Sequence, residues 1–170
     1  IHDLKELTKD SSKEVLREAF IKCAAKEVYW LWKKYKEDKV KEKPKGVAEV
    51  HAGDPQQKLE SGTIPEEFKR QMFYTYGDYR DFLFGTDISK NSDDVGKVKT
   101  NIDNVFGDNP QTKNTKRQDW WKIYGKDIWE GMLCGLSHHI KNRDKEKLRK
   151  KLTDKNKYST VSSTLEDFAK

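Results

Sequence analysis

Lys141, Arg143, Lys145, Lys147, Arg149, Lys150 and Lys151 place seven cations in eleven consecutive positions, the most basic stretch of the chain. Closely spaced lysine and arginine side chains engage phosphate, sulfate or carboxylate groups, and such contacts weaken steeply as salt rises. The alternative is a short surface helix, anchored by Leu148 and Leu152, whose lysines are merely solvated. Other reactive types are sparse. Cys23 and Cys134 lie far apart, each within an amphipathic stretch. Two reduced core thiols fit that placement, and so does a disulfide clamping two long helices, which in the chain-entropy model stabilises by roughly 4 to 5 kcal/mol. His51 sits in a polar stretch and reads as a surface residue, whereas His138 and His139 are adjacent. On a helix, neighbours point about 100° apart and do not readily face one ion, so no metal site is expected.

Several function classes are excluded by what is missing. The chain carries no phosphate-binding P-loop, dinucleotide glycine fingerprint, nucleophile elbow, paired-cysteine zinc signature or calcium-binding loop. Its carboxylates alternate with lysines as on a solvated surface, so neither catalytic residues nor a cofactor are expected. A net charge of +6 favours anionic partners, among them nucleic acid, acidic membrane surfaces and sulfated or sialylated glycans. Nucleic acid is disfavoured because acidic residues interrupt the basic ones and no recognised module is present. No apolar run approaches the roughly 20 residues of a membrane-spanning helix, so direct membrane insertion is not expected.

The elements that must position these residues follow from apolar spacing. With 38% charged residues, 34% hydrophobic residues and a mean hydropathy of −1.06, the core must be concentrated in a few stretches. The strongest is Asp119 to Leu136, continuing to Ile140. There Trp121, Tyr124, Ile128, Met132 and Gly135 form one helical stripe and Trp129, Leu133, Leu136 and Ile140 another, predicting a central helix. A second helix should open at the Ser11 and Glu14 capping box and bury Leu16, Phe20, Cys23, Ala24, Val28, Leu31 and Tyr35 before fading from Lys36. Pro44 to Gly62 reads as an exposed loop. Thr63 should then cap a third helix with Phe68, Met72, Phe73, Tyr76, Tyr79 and Leu83 inside, stopping at Gly85. A shorter helix through Val95, Val98, Ile102, Val105 and Phe106 should end at Gly107, followed by turns to about Asn114. Ser163 and Glu166 suggest a last helix that starts as the chain stops, which predicts a fragment of something longer. The fold class expected is all-α, a bundle of long amphipathic helices with extended loops, in one domain over residues 1–170.

Three stretches in order then carry a family likeness. Ala19-Phe20-Ile21-Lys22-Cys23-Ala24-Ala25 through Trp32-Lys33-Lys34-Tyr35 resembles a signature helix of Duffy-binding-like domains. So does Ile64-Pro65-Glu66-Glu67-Phe68 through Tyr79-Arg80-Asp81, and so does Asp119-Trp120-Trp121 through Met132-Leu133-Cys134. Such domains build the variant erythrocyte membrane adhesins that malaria parasites display on infected red cells. The resemblance implies a helical adhesion domain, mainly the middle subdomain, with the following helix pair cut off. It places the chain on the extracellular face of the infected erythrocyte membrane, within a larger membrane-anchored protein that meets host receptors and antibodies. It also implies that Cys23 and Cys134 pair, and that Trp120, Trp121, Trp129, Phe73 and Tyr79 are scaffold. The receptor expected from the basic surface is a sulfated glycosaminoglycan of chondroitin or heparan sulfate type, held by Lys141 to Lys151. A host adhesion protein, or a role as spacer and immune target, is the alternative.

Overall fold

Residues 2–42, 54–86, 93–107 and 109–168 are described by the computed structural model, and among them there are eight helices and no strand. In chain order they are α1 (His2–Lys5), α2 (Lys13–Lys41), α3 (Pro55–Glu60), α4 (Glu66–Phe84), α5 (Asp93–Phe106), α6 (Pro110–Ser137), α7 (Lys145–Asn156) and α8 (Tyr158–Phe168). The all-α expectation holds. His51 lies outside the described residues.

Helix ends differ from the expected ones wherever a cap was misread. Ser12, not Ser11, caps α2 by accepting from Val15 N at 3.2 Å, while Ser11 Oγ accepts from Thr8 N in the preceding turn. The lysine- and glutamate-rich stretch after Lys36 does not fade: these residues are good helix formers, and α2 runs on to Lys41. Within the expected loop, Asp54 caps α3, and within the expected turn region Asn109 caps α6 by accepting from Gln111 N at 2.9 Å, each with proline at the first helical position. Thr63 does not cap α4, whose N-cap is Pro65 with no side-chain bond. Glu130 on α6 accepts from Tyr158 N at 3.2 Å, so α8 begins well before the Ser163 box.

Packing centres on α2, α6 and α4. Arg17 bonds Asp127 at 2.7 Å, Ile21 lies against Gly131, Ala25 against Gly135, and the Tyr29 carbonyl accepts from His139 Nε2 at 2.7 Å. Every fourth residue of α2 thus meets every fourth residue of the α6 stretch, so the two helices run parallel with ridges in register. The approach is close enough to forbid side chains. A Cβ on Gly131 would lie 2.8 Å from Ile21 Cγ2, and one on Gly135 would lie 2.8 Å from the Ala25 carbonyl carbon. Helix α4 runs antiparallel to both: Phe68 packs edge-on against Trp32 and Tyr79 Oη donates to Glu27 at 2.7 Å, while Phe73 stacks near Trp129 and Leu83 O accepts from Arg117. All the residues predicted for the α4 inner stripe are buried, as are Trp120, Trp129 and the Leu133, Leu136, Ile140 stripe. Trp121 and Tyr124 are only partly buried. Around this core, Asn101 of α5 donates to the Leu4 and Lys5 carbonyls of α1, and Trp129 Nε1 donates to Asn156 O at the α7 to α8 junction.

Overpacking a fitted interior costs about 1 to 3 kcal/mol, and more where the obstacle is backbone. Gly135→Ala should therefore lower unfolding stability by at least about 3 kcal/mol in urea titrations. Gly96→Ala should instead raise it by about 0.5 to 1 kcal/mol, since Gly96 is helical and nothing lies within 4 Å of an added Cβ. Equal effects at the two sites would contradict the close seam.

Candidate functional site

The basic stretch is divided by the fold into three kinds of residue. Arg149 is half-buried and turns its guanidinium back to the end of α6, donating from Nε to Ser137 O at 3.0 Å and from Nη2 to Ile140 O at 3.2 Å. Both carbonyls lie at or just beyond the end of α6, where Ser137 O also accepts from Ile140 N at 3.0 Å, so the task is structural. Lys150 pairs with Asp154 at 2.5 Å, and the Lys151 stem lies over Gly62, where an added Cβ would be 3.0 Å from its Cγ. Lys141, Arg143, Lys145 and Lys147 stay exposed. The first two lie in the α6 to α7 connection and the others open α7.

That connection runs beside the middle of α2. The His139 ring stacks on Tyr29 with centroids 4.1 Å apart, and its backbone carbonyl accepts from Gln56 Nε2 at 2.9 Å. Gln56 Oε1 in turn accepts from Lys36 Nζ at 3.0 Å and Trp32 Nε1 at 3.4 Å. Burial pulls the Lys36 ammonium below its ordinary pKa, and the nearby Lys141 charge lowers it further against the opposing pull of Asp54 and Glu60. Burial likewise lowers His139, with Lys36, Lys141 and His138 all disfavouring its protonation, while its bond to Tyr29 O works the other way. Lys36 and Lys141 are thus near neighbours at this junction, with Asp54 and Glu60 partly offsetting them and His139 held neutral. Further along α2, Trp30 is 60% exposed, and Lys33 Nζ sits 5.2 Å from its ring centroid.

A profile of the Duffy binding domain matches residues 1–169. The chain belongs to the Duffy binding domain family. It is 25% identical over 92 residues to the Duffy receptor of Plasmodium vivax, covering 52% of this chain and 8% of that protein. It is 27% identical over 81 residues to the Duffy receptor alpha form of Plasmodium knowlesi, covering 46% of this chain and 7% of that protein. The chain thus spans less than a tenth of either relative. No solved structure matches it. Both relatives carry the name Duffy receptor.

In this Duffy binding domain Cys23 and Cys134 are not bonded to each other, contrary to the pairing implied by the family likeness. Helical phase is the reason. Ile21 and Ala25 face α6, and Cys23, about 200° around the helix from each, faces α1 instead. Its thiol is buried and donates to Asp3 Oδ2 at 3.7 Å. Cys134 is exposed, beside His138. Among the described residues no group of three His, Cys, Asp or Glu side chains is placed to hold a metal ion, and no helix is long and apolar enough to cross a membrane.

A cleft of about 410 Å³ between α4, α6 and α8 is lined by Tyr76, Arg80, Trp121, Lys122, Tyr158 and Glu166. The Tyr76 hydroxyl is buried, and burial drives its pKa far above the ordinary phenol range, so it stays neutral. In this cleft Glu166 stands beside Arg80 and Lys122. Trp30 and Lys33 lie inside the first family stretch, where Trp30 falls off the apolar stripe of α2, and Lys36 opens the charged stretch expected to be merely solvated.

Two measurements probe this geometry. A thiol reagent should modify Cys134 quickly in the native, non-reduced domain and reach Cys23 only on unfolding, with both cysteines reacting in denaturant; a denatured chain with neither accessible would restore the disulfide. Because His139 is held below its unfolded value near 6.5, the stability due to its neutral form is full above pH 6.5 and is lost as pH falls through its lower folded pKa. His139→Gln, which keeps a donor toward Tyr29, should flatten that acid-side fall in melting temperature.

Proposed function

We propose that this Duffy binding domain is an adhesion module whose host receptor is a sulfated glycosaminoglycan of chondroitin or heparan sulfate type, bound at the α6 to α7 junction. The observation carrying this reading is that Lys141, Arg143, Lys145 and Lys147 are all exposed along the α6 to α7 connection and the start of α7, with Lys36 held beside that connection through Gln56. Such a field attracts a polyanion. Arg149 and Lys150 are already engaged and contribute less. The parent protein would be longer and membrane-anchored, would display this subdomain on the outside of an infected erythrocyte, and would meet antibodies there. Support comes from the Plasmodium origin of the relatives and from the small share of their length that this chain spans. Many weak contacts on a cell surface act together, so modest single-site affinity suffices.

A host adhesion protein is the second reading, favoured by Tyr74 and Ile123, apolar side chains 59% and 57% exposed. Salt separates the two. Exposed ionic contacts are worth about 0.5 to 1 kcal/mol each. Replacing Lys141, Arg143, Lys145 and Lys147 together by glutamine should thus weaken binding to immobilised heparan or chondroitin sulfate on the order of 30- to 1000-fold and flatten its salt dependence. Binding to a receptor protein that ignores both the variant and the salt would favour the second reading, and no binding in either format would leave the domain a spacer.

A further inference from the structure

Trp30 is the unusual feature of the α2 surface: a tryptophan 60% exposed on a helix whose other tryptophan, Trp32, is fully buried. Single exposed apolar residues are ordinary, but this indole has Lys33 Nζ 5.2 Å from its ring centroid and Lys34 beside it. At roughly 100° per residue, Lys34, Trp30, Lys33, Tyr29 and Lys36 occupy one continuous arc of about 160° on α2. Lys33 and Lys34 line a shallow depression of about 240 Å³ with Trp30, and Glu37 is the acid in that lining. Trp30 meets Tyr29 edge-on at 5.6 Å, Tyr29 stacks on His139, and Lys141 follows two residues later. The aromatic surface is therefore continuous with the basic junction.

We propose that Trp30 is a stacking platform for a pyranose ring of a sulfated glycosaminoglycan, with Lys33 and Lys34 meeting its sulfates and the chain running on across Tyr29 to Lys36, Lys141 and Arg143. The proposal rests on the glycan reading above and adds to it a residue that recognises the sugar and not only its charge. The chemistry is complementary. A pyranose presents a face of polarised C–H groups that packs on the electron-rich indole, while its sulfates project sideways, where the lysines stand. A bare polyanion has no such face and gains only the charge term.

The test compares two polymers on the intact chain: a heparan or chondroitin sulfate oligosaccharide, and polyvinyl sulfate, which is sulfated but has no sugar rings. Trp30→Ala should weaken oligosaccharide binding about tenfold and leave polyvinyl sulfate within about twofold, with Trp30→Phe retaining most of the affinity. Independently of any variant, the oligosaccharide should shield a fraction of the tryptophan fluorescence from iodide quenching, and that fraction should vanish in Trp30→Ala. Unchanged oligosaccharide binding by Trp30→Ala, or equal loss for both polymers, overturns the stacking role while leaving the glycan reading in place. If the unmodified chain binds neither polymer, the glycan reading itself has failed and the platform falls with it.

Discussion

Direct contact between two main chains, α6 at Gly135 and α2 at Ala25, is the constraint on which the other packing in this domain depends. With no side chains between them, the helices meet at a separation set by backbone atoms, and the register is held by a four-residue repeat running from Arg17 and Asp127 to Tyr29 and His139. Everything nearby inherits that register. It sends Cys23 toward α1, brings the end of α6 beside the middle of α2, and leaves a groove that α4 fills with Phe68, Met72, Tyr76 and Tyr79.

Two arginines serve the same end in a different way. Arg117 is buried and donates to the Leu83 carbonyl at the end of α4 while pairing with Asp103 of α5; Arg149 donates to two carbonyls where α6 stops. Each puts a fixed positive charge at the negative end of a helix dipole, where it is favourable, and each ties one helix end to another element. In a chain so rich in cations, this separates structural from functional charge. A guanidinium that answers carbonyls is withdrawn from any ligand, whereas the exposed lysines before it are not.

How much of this was legible in the sequence varies with the physics involved. Apolar periodicity located the long helices and nearly all of their inner faces, because a stripe of Phe68, Met72, Tyr76, Tyr79 and Leu83 can be buried in only one way. The seam was not legible as such. Gly131 and Gly135 were visible at four-residue spacing, yet glycine has no side chain to mark it as a contact, and the partner face on α2 lies more than a hundred residues earlier. The family likeness suggested which cysteines to pair but carried no information on helical phase. The basic block was visible as composition, while its division between Arg149 and the exposed Lys141, Arg143, Lys145 and Lys147 depends on where α6 ends, which no local signal gives. Family membership was legible because three motifs coincide in order; the receptor was not, because surface charge is shared by many partners.

The parallel course of α2 and α6 also has a mechanical meaning. Both helices carry the aromatic and basic surface, since the end of α6 lies beside the middle of α2. A tug applied there along the helix axes loads the glycine seam in shear, so that its contacts resist simultaneously; an antiparallel hairpin pulled at its open end would peel them apart in sequence. A load borne along both helix axes is thus shared by the whole seam, without needing any single bond to be strong.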